Sequence, residues 1–278
     1  MIVRKHPDID IGTGMSGNNN NGIRFAFGKN WRYFLSTVNE HRISSARESL
    51  LGMLGVESLQ GACFLDVGCG SGLFSLAARK EGAVVRSFDY DKDSVECTNV
   101  LRTKFFPDDA NWCVGQGSIL DKTFVKGLGT YDIVYSWGVL HHTGNMWEAM
   151  QNVPALLSSK GKLYLSLYND QGLISSYWTT IKKHYNNHPW TRPVLKLVFS
   201  PYFVGARYLV RLAGGRVRLE RGMSYWYDMI DWLGGYPFEV AKPGKVISYF
   251  ENRDLVLKRV VTCGRRSGCN EYLFENPG

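Results

Sequence analysis

The sequence lacks long hydrophobic runs. No stretch of about 18 apolar residues free of charge occurs in its 278 residues, so nothing reads as a membrane-spanning helix. The opening MIVRKHPDID has no apolar core of about 7–15 residues such as a secretory signal needs, and the expected address is cytoplasmic. The six cysteines (Cys63, Cys69, Cys97, Cys113, Cys263, Cys269) form no CxxC pair, which speaks against a zinc ribbon or a disulfide frame. They are expected as reduced thiols in the core. What is present is an ordinary globular mixture, 44% hydrophobic and 21% charged, with 13% aromatic residues to line a pocket as well as fill a core. The net charge of +8 is concentrated. Lys182, Lys183, Arg192, Lys196, Arg207, Arg211, Arg216, Arg218 and Arg221 stand against Glu220 alone, and such a cluster implies an anionic partner.

Residues 1–22 end in MSGNNNNG and read as a flexible lead with no hydrophobic period. From about 30 to 54, Phe34, Val38, Ile43, Ala46, Leu50 and Leu51 fall at helical spacing, which predicts one or two helices. Between 62 and 168, short β-like runs (62–67, 84–89, 111–116, 131–136, 162–168) alternate with helical ones, the pattern of a parallel sheet covered on both faces. Residues 172–235 break that rhythm and read as an inserted helical cap. A helix opened by Pro243 and two β runs around CGRRSG then predict a terminal antiparallel hairpin. The main domain is thus expected over 23–171 and 236–278.

Asp66, Gly68, Cys69, Gly70 and Gly72 lie where the first strand turns into its helix, a place where glycine lets backbone approach a ligand. The nicotinamide fingerprint GxGxxG fails here, because its third glycine would fall on Leu73. Asp89, with Tyr90 beside it, closes the second strand and can accept hydrogen bonds from both hydroxyls of a ribose. Asp91 is expected to cap the next helix and Asp93 to favour its first turn through the helix dipole.

The pattern DxGxGxG ending a strand resembles motif I of class I S-adenosylmethionine-dependent methyltransferases, and the resemblance extends through 62–168 toward the quinone-pathway and small-molecule O-methyltransferase branch. It implies a Rossmann-like methyltransferase fold: α/β, a doubly wound, mostly parallel seven-stranded sheet with N-terminal helices and the cap. It implies S-adenosylmethionine as cofactor and S-adenosylhomocysteine as product, with Asp66 near the ammonium end. Many relatives carry Gly-Asp after the third strand. Here Gly117 is followed by Ser118 and Ile119, so adenine recognition is expected to rest on a hydroxyl, backbone groups and apolar flanks.

By the same resemblance YDIVYSWGVLHHTGN passes under the transferable methyl, with Trp137 and Gly138 lining the cofactor pocket and His141 and His142 nearer the acceptor. A neutral histidine can take the proton of a weakly nucleophilic hydroxyl; equally, either ring can merely brace its loop. Metal-using members carry two acids in this segment that the chain lacks, and no metal is expected. Asn169 and Asp170 follow the fifth strand at the site mouth, Asp170 reading as an assisting base or as a turn residue before Gly172. Tyr225, Trp226, Tyr227, Asp228, Asp231 and Trp232 suit helix packing as well as a substrate cage.

The function expected is O-methylation of a small-molecule, lipid-linked or glycan acceptor. Peripheral contact with an anionic membrane is expected through 182–222, against the alternative of a cap helix whose cations simply face water. A nucleic-acid methyltransferase is the second reading, disfavoured because the Asn/Asp-Pro-Pro-aromatic motif is absent where the chain reads SWGV. A non-catalytic cofactor-binding module is the third.

Overall fold

The computed structural model describes residues 24, 25, 27, 28, 31, 35, 38–206, 225–264 and 267–278. In chain order its elements are α1 (Glu40–Leu54), β1 (Cys63–Val67), α2 (Leu73–Lys80), β2 (Val84–Asp89), α3 (Lys92–Phe105), β3 (Trp112–Gln116), α4 (Lys122–Leu128), β4 (Tyr131–Trp137), α5 (Met146–Asn152), β5 (Leu157–Tyr168), α6 (Leu173–Asn187), α7 (Thr191–Ser200), α8 (Tyr225–Gly234), α9 (Pro243–Glu251), β6 (Val256–Val261) and β7 (Cys269–Glu275). The strands form one sheet in the order β3-β2-β1-β4-β5-β7-β6. β7 runs antiparallel to β5 and β6, and the remaining neighbours run parallel. The doubly wound sheet and terminal hairpin expected from the sequence are therefore present. The order reverses between β1 and β4, which opens a crevice beyond the carboxyl ends of the strands.

β1 shows why the sheet sits where it does. Phe64, Leu65 and Val67 are all fully buried, and the strand's alternation sends Phe64 to one side and Leu65 and Val67 to the other. On the Phe64 side α1 buries Ile43, Leu50 and Leu54; on the other, α5 and α9 bury Met150, Val246 and Phe250. α1 starts where Asn39 Oδ1 accepts the Arg42 N–H at 3.0 Å, and it ends on Gly55 in the left-handed region. The cap contributes α6, α7, a π turn (Pro201–Ala206) and α8. It has a small core of its own in Tyr185, Phe203, Met229 and Leu233.

Three expectations change. α4 was not visible in the hydrophobic pattern; its start is set by Asp121, whose carboxylate accepts the N–H groups of Thr123 and Phe124 at 2.9 and 3.1 Å. β5 begins at Leu157 rather than 162, because the pairing passes from Tyr131↔Leu157 to Ile133↔Lys162 and loops the intervening residues out around Lys160 at φ +62°. No cysteine is in a disulfide, but only Cys69 and Cys97 are buried, and Cys113 is exposed because β3 is an edge strand. The lead at 1–22 lies outside the described residues. Among the described residues no helix is long and apolar enough to cross a membrane.

Candidate active site

The turn after β1 requires glycine at two points. Gly68 has φ +80° and a Cβ there would lie 2.3 Å from Val139 Cγ1; Gly72, at φ +78°, would place one 2.8 Å from Thr98 Cγ2. Asp89 fixes the turn from the neighbouring strand, accepting the Gly70 N–H through Oδ2 at 2.9 Å and the Asp91 N–H through Oδ1 at 2.8 Å. Burial lifts its carboxyl to about 6 even though these backbone donors oppose the rise. Asp66 is 2% exposed, accepts the Ser75 hydroxyl, and is lifted by burial, and less by Asp89, to about 7. Ser75 lies 2.7 Å from Ser87 Oγ, which accepts the Trp112 indole N–H at 3.0 Å, so the acid is braced across three strands. Two desolvated carboxyls beside an open glycine turn suit a cationic ligand, whose arrival would favour their ionised forms.

Around this pair the structure distributes the other expected residues. Asp91 caps α3 by accepting the Asp93 N–H, and its second oxygen accepts Gly28 N–H at 3.0 Å; Asp93 lies in the first turn. Tyr90 is 59% exposed beside Asp89, with the Arg24 guanidinium 4.7 Å from its ring centre. Ser118 Oγ accepts the Leu120 N–H at 3.2 Å, and Ile119 is packed in the core with its carbonyl on Asn152 Nδ2 at 2.8 Å. Cys69 accepts the Thr98 hydroxyl at 3.2 Å, and burial, followed by Asp89 and Asp66, pushes its thiol pKa well up. Such a thiol is inert. Trp137 is half-buried and donates to Glu271 on β7 at 3.2 Å.

β4 runs out through Trp137 into a short 3₁₀ turn, Leu140–His142. The two imidazoles are 4.5 Å apart but are hydrogen-bonded differently. His141 is fully buried and its Nδ1 accepts the Tyr168 N–H at 3.3 Å, which places its proton on Nε2, a buried atom with no hydrogen-bond partner among the described residues. His142 Nδ1 lies 2.6 Å from the Pro237 carbonyl and must donate to it, leaving Nε2 as the ring's proton acceptor. Burial drives the His142 pKa to about 3 and that of His141 well below 6.5; the His142, Lys182 and Arg24 charges add to the effect. The strand-like return from the cap holds this corner, with Glu239 N–H on the His141 carbonyl and Ala241 N–H on the Tyr168 carbonyl, both at 3.0 Å.

Asp170 acts as a turn residue: its Oδ1 accepts the Gly172 N–H at 2.8 Å at the start of α6. Asn169 bridges Gly264 and Asn270 at 3.1 Å each and so joins β5 to the hairpin. On α8, Trp226 is 45% exposed, whereas Trp232 turns inward to within 5.8 Å of the Tyr168 ring. The side chains of Tyr225 and Tyr227 lie outside the described residues.

Two features were missed in the sequence. Lys182, counted there with the outward-facing cations, is fully buried: its ammonium donates to the Trp232 carbonyl beneath the rings of Trp232 and Phe238. The available signal was its spacing from Trp178 and Tyr185, which puts it on the apolar face of α6. The segment before α1 also enters the site. Phe27 lies 4.9 Å from the His142 ring, Trp31 stands so close over Gly70 that a Cβ there would be 3.2 Å from its indole, and Arg24 donates to the Thr143 carbonyl.

A family model described as a methyltransferase domain matches residues 38–216. The ubiquinone biosynthesis O-methyltransferase of Vibrio campbellii is 29% identical over 135 residues, which cover 49% of this chain and 53% of that protein. The ribosomal protein L11 methyltransferase of Helicobacter hepaticus is 31% identical over 149 residues, covering 53% and 42%. The chain thus spans about half the length of the curated relatives it matches. In fold it resembles the crystal structure of magnesium protoporphyrin IX methyltransferase from Synechocystis with bound SAH, at a TM-score of 0.52 and 14% identity over 90% of this chain and 94% of that one. With a family model covering more than half of its length and the glycine turn, acid pair and strand order in place, the chain belongs to the class I S-adenosylmethionine-dependent methyltransferases.

Proposed function

We propose that the protein methylates an oxygen of a small acceptor held between the histidine pair and the cap, with His142 receiving the proton. The observation that carries this reading is the 2.6 Å contact from His142 Nδ1 to the Pro237 carbonyl, which commits one nitrogen and leaves the other as base. When bound, S-adenosylmethionine supplies an electrophilic methyl on a sulfonium. Toward it, Asp89 would hold the ribose hydroxyls, Asp66 would face the ammonium end, and Gly68, Cys69, Gly70 and Gly72 would present backbone. Tyr90, Ser118 and Ile119 would border the adenine, and Trp137 would form the wall beside the methyl. A base with a pKa of about 3 is sufficient here, because a hydroxyl oxygen that has gained a methyl is a far stronger acid than the free hydroxyl. The proton therefore leaves late, after the new bond has begun to form.

The names of the two relatives point to different acceptors, a quinone precursor and a protein, so the test is direct. With S-adenosylmethionine and a panel of aromatic hydroxyls, amines and thiols, S-adenosylhomocysteine should accumulate only with the hydroxyls, and mass spectrometry should place the methyl on oxygen. Turnover confined to amines or thiols would overturn the assignment.

We infer further that the cap rests on an anionic membrane. Trp190, just before α7, and Val194, Leu197 and Val198 on it fall at the spacing of one helix face, with exposures of 73, 55, 75 and 63%, and Leu173 at the start of α6 is 88% exposed. Residues 173–206 contain no acid, while Lys183 and Lys196 supply cations; Lys182 is withdrawn from this surface by its burial, and 207–222 lie outside the described residues. In flotation with phosphatidylglycerol vesicles the wild type should bind, more weakly at high salt, and Leu197→Glu should bind at least about tenfold less. Equal affinity for neutral phosphatidylcholine vesicles would count against the reading.

A further inference from the structure

The cap contributes a group that this chemistry leaves unused. α6 places Lys182 between Trp178 and Tyr185 on its apolar face, and the ammonium reaches the Trp232 carbonyl with the ring centres of Trp232 and Phe238 at 4.5 and 4.7 Å. An ammonium has three donors and no acceptor, so one hydrogen bond and two ring faces leave it short of partners where water does not reach. Two more donors of the same cluster are in the same condition. The Nε2–H of His141 and the Nε1–H of Trp232 are both buried with no hydrogen-bond partner among the described residues. The Tyr168 ring links them, 4.0 Å from the His141 ring, 5.8 Å from that of Trp232 and 5.0 Å from that of Phe238.

Every unsatisfied polar group named here is a donor, one of them is cationic, and the walls between them are aromatic. Their chemical complement is a negatively charged oxygen on a flat apolar body. We propose that Lys182, His141 and Trp232 form an oxyanion-receiving site, so that the natural acceptor is a ring compound bearing a carboxylate or an ionised hydroxyl. This rests on the reading of the histidine corner as the acceptor side of a methyltransferase. Burial draws Lys182 down to about 7 while Asp231 opposes the fall, and an arriving anion would restore the full charge. The proposal also accounts for the cap itself: α6 and α8 bring to the site the cation and the indole donor that the sheet does not provide.

The test is calorimetry on the full chain saturated with S-adenosylhomocysteine, at about pH 6, below the value of about 7 that burial gives Lys182. The probes are benzoate and benzyl alcohol, equal in ring size but different in charge. Wild type should bind benzoate at least about tenfold tighter. Lys182→Met should lose that preference while keeping its affinity for S-adenosylhomocysteine and for benzyl alcohol, and Lys182→Arg should retain part of it. If Lys182→Met does not fold, Trp232→Phe keeps the ring, removes the donor, and should weaken benzoate about three- to tenfold. Equal binding of the two probes by wild type, or undiminished benzoate binding by the variants, overturns the oxyanion site alone. A wild type that fails to bind S-adenosylhomocysteine would overturn the methyltransferase reading beneath it as well.

Discussion

S-adenosylhomocysteine should give no measurable heat when titrated into the Asp89→Ala chain at concentrations that saturate the wild type. The substitution removes the carboxylate hydrogen bond that holds the glycine turn at the Gly70 N–H and the one to the Asp91 N–H, together with the proposed ribose contacts. Charge-assisted hydrogen bonds contribute about 1.5–3 kcal/mol each, so losing the two proposed to the ribose hydroxyls weakens binding by roughly 10²–10⁴-fold. Asp89→Asn, which keeps one acceptor and the volume, should retain intermediate affinity. The pH dependence has a definite sign. In the unliganded protein Asp89 and Asp66 are lifted to about 6 and about 7, and a cationic ligand prefers them ionised. Below about pH 6 binding must displace protons, and affinity should fall by up to about tenfold per pH unit for each group. The stability of the unliganded protein responds in the opposite sense. Carboxyls whose folded values lie above the ordinary 3.8 bind protons more tightly when folded, so their contribution to stability grows as pH falls from about 7 toward 3.8. A cofactor affinity that stays flat from pH 5 to pH 8 would contradict this account of the two acids.

The glycine turn and Asp89 were readable in the sequence because their determinants are local. A left-handed backbone at Gly68 and Gly72 and an acid at the end of a strand are properties of short segments, and a mostly parallel sheet follows from the alternation of short strand and helix runs. The different hydrogen bonding of His141 and His142 was not readable, since it depends on which carbonyl or N–H meets each Nδ1. Those partners, Tyr168 and Pro237, lie 27 residues away on β5 and 95 residues away beyond the cap. Lys182 was misassigned for a similar reason. Charge counting treats a lysine as a surface residue, and only the packing of α8 across α6 turns this one inward. Cys113 failed in the other direction: its apolar neighbours suggested a core strand, but the position of β3 at the sheet edge leaves it exposed. Asp91 and Asp93 succeeded because helix capping is again local.

The difference between the two histidines leads to the second large effect. His142→Gln should lower kcat by about 10²–10⁴-fold, the usual range for a general base, with KM and S-adenosylhomocysteine affinity within about threefold of wild type. Glutamine can still donate toward the Pro237 carbonyl and so preserves the corner, but it cannot take a proton. His141→Gln should behave otherwise. It weakens the bond from the Tyr168 N–H and removes a donor from the cluster near Lys182, so its main effect should fall on KM. The two variants also differ in their response to the acceptor. An acceptor whose attacking oxygen is already ionised has no proton to surrender, so the kcat penalty of His142→Gln should shrink to about tenfold or less with it. A neutral hydroxyl of the same shape should show the full loss. An unchanged kcat in His142→Gln with a neutral hydroxyl would mean that the proton departs through another group, Asp170 or solvent, and that His142 only braces the loop. The paired measurement therefore separates proton acceptance from anion binding, the two roles proposed for neighbouring rings.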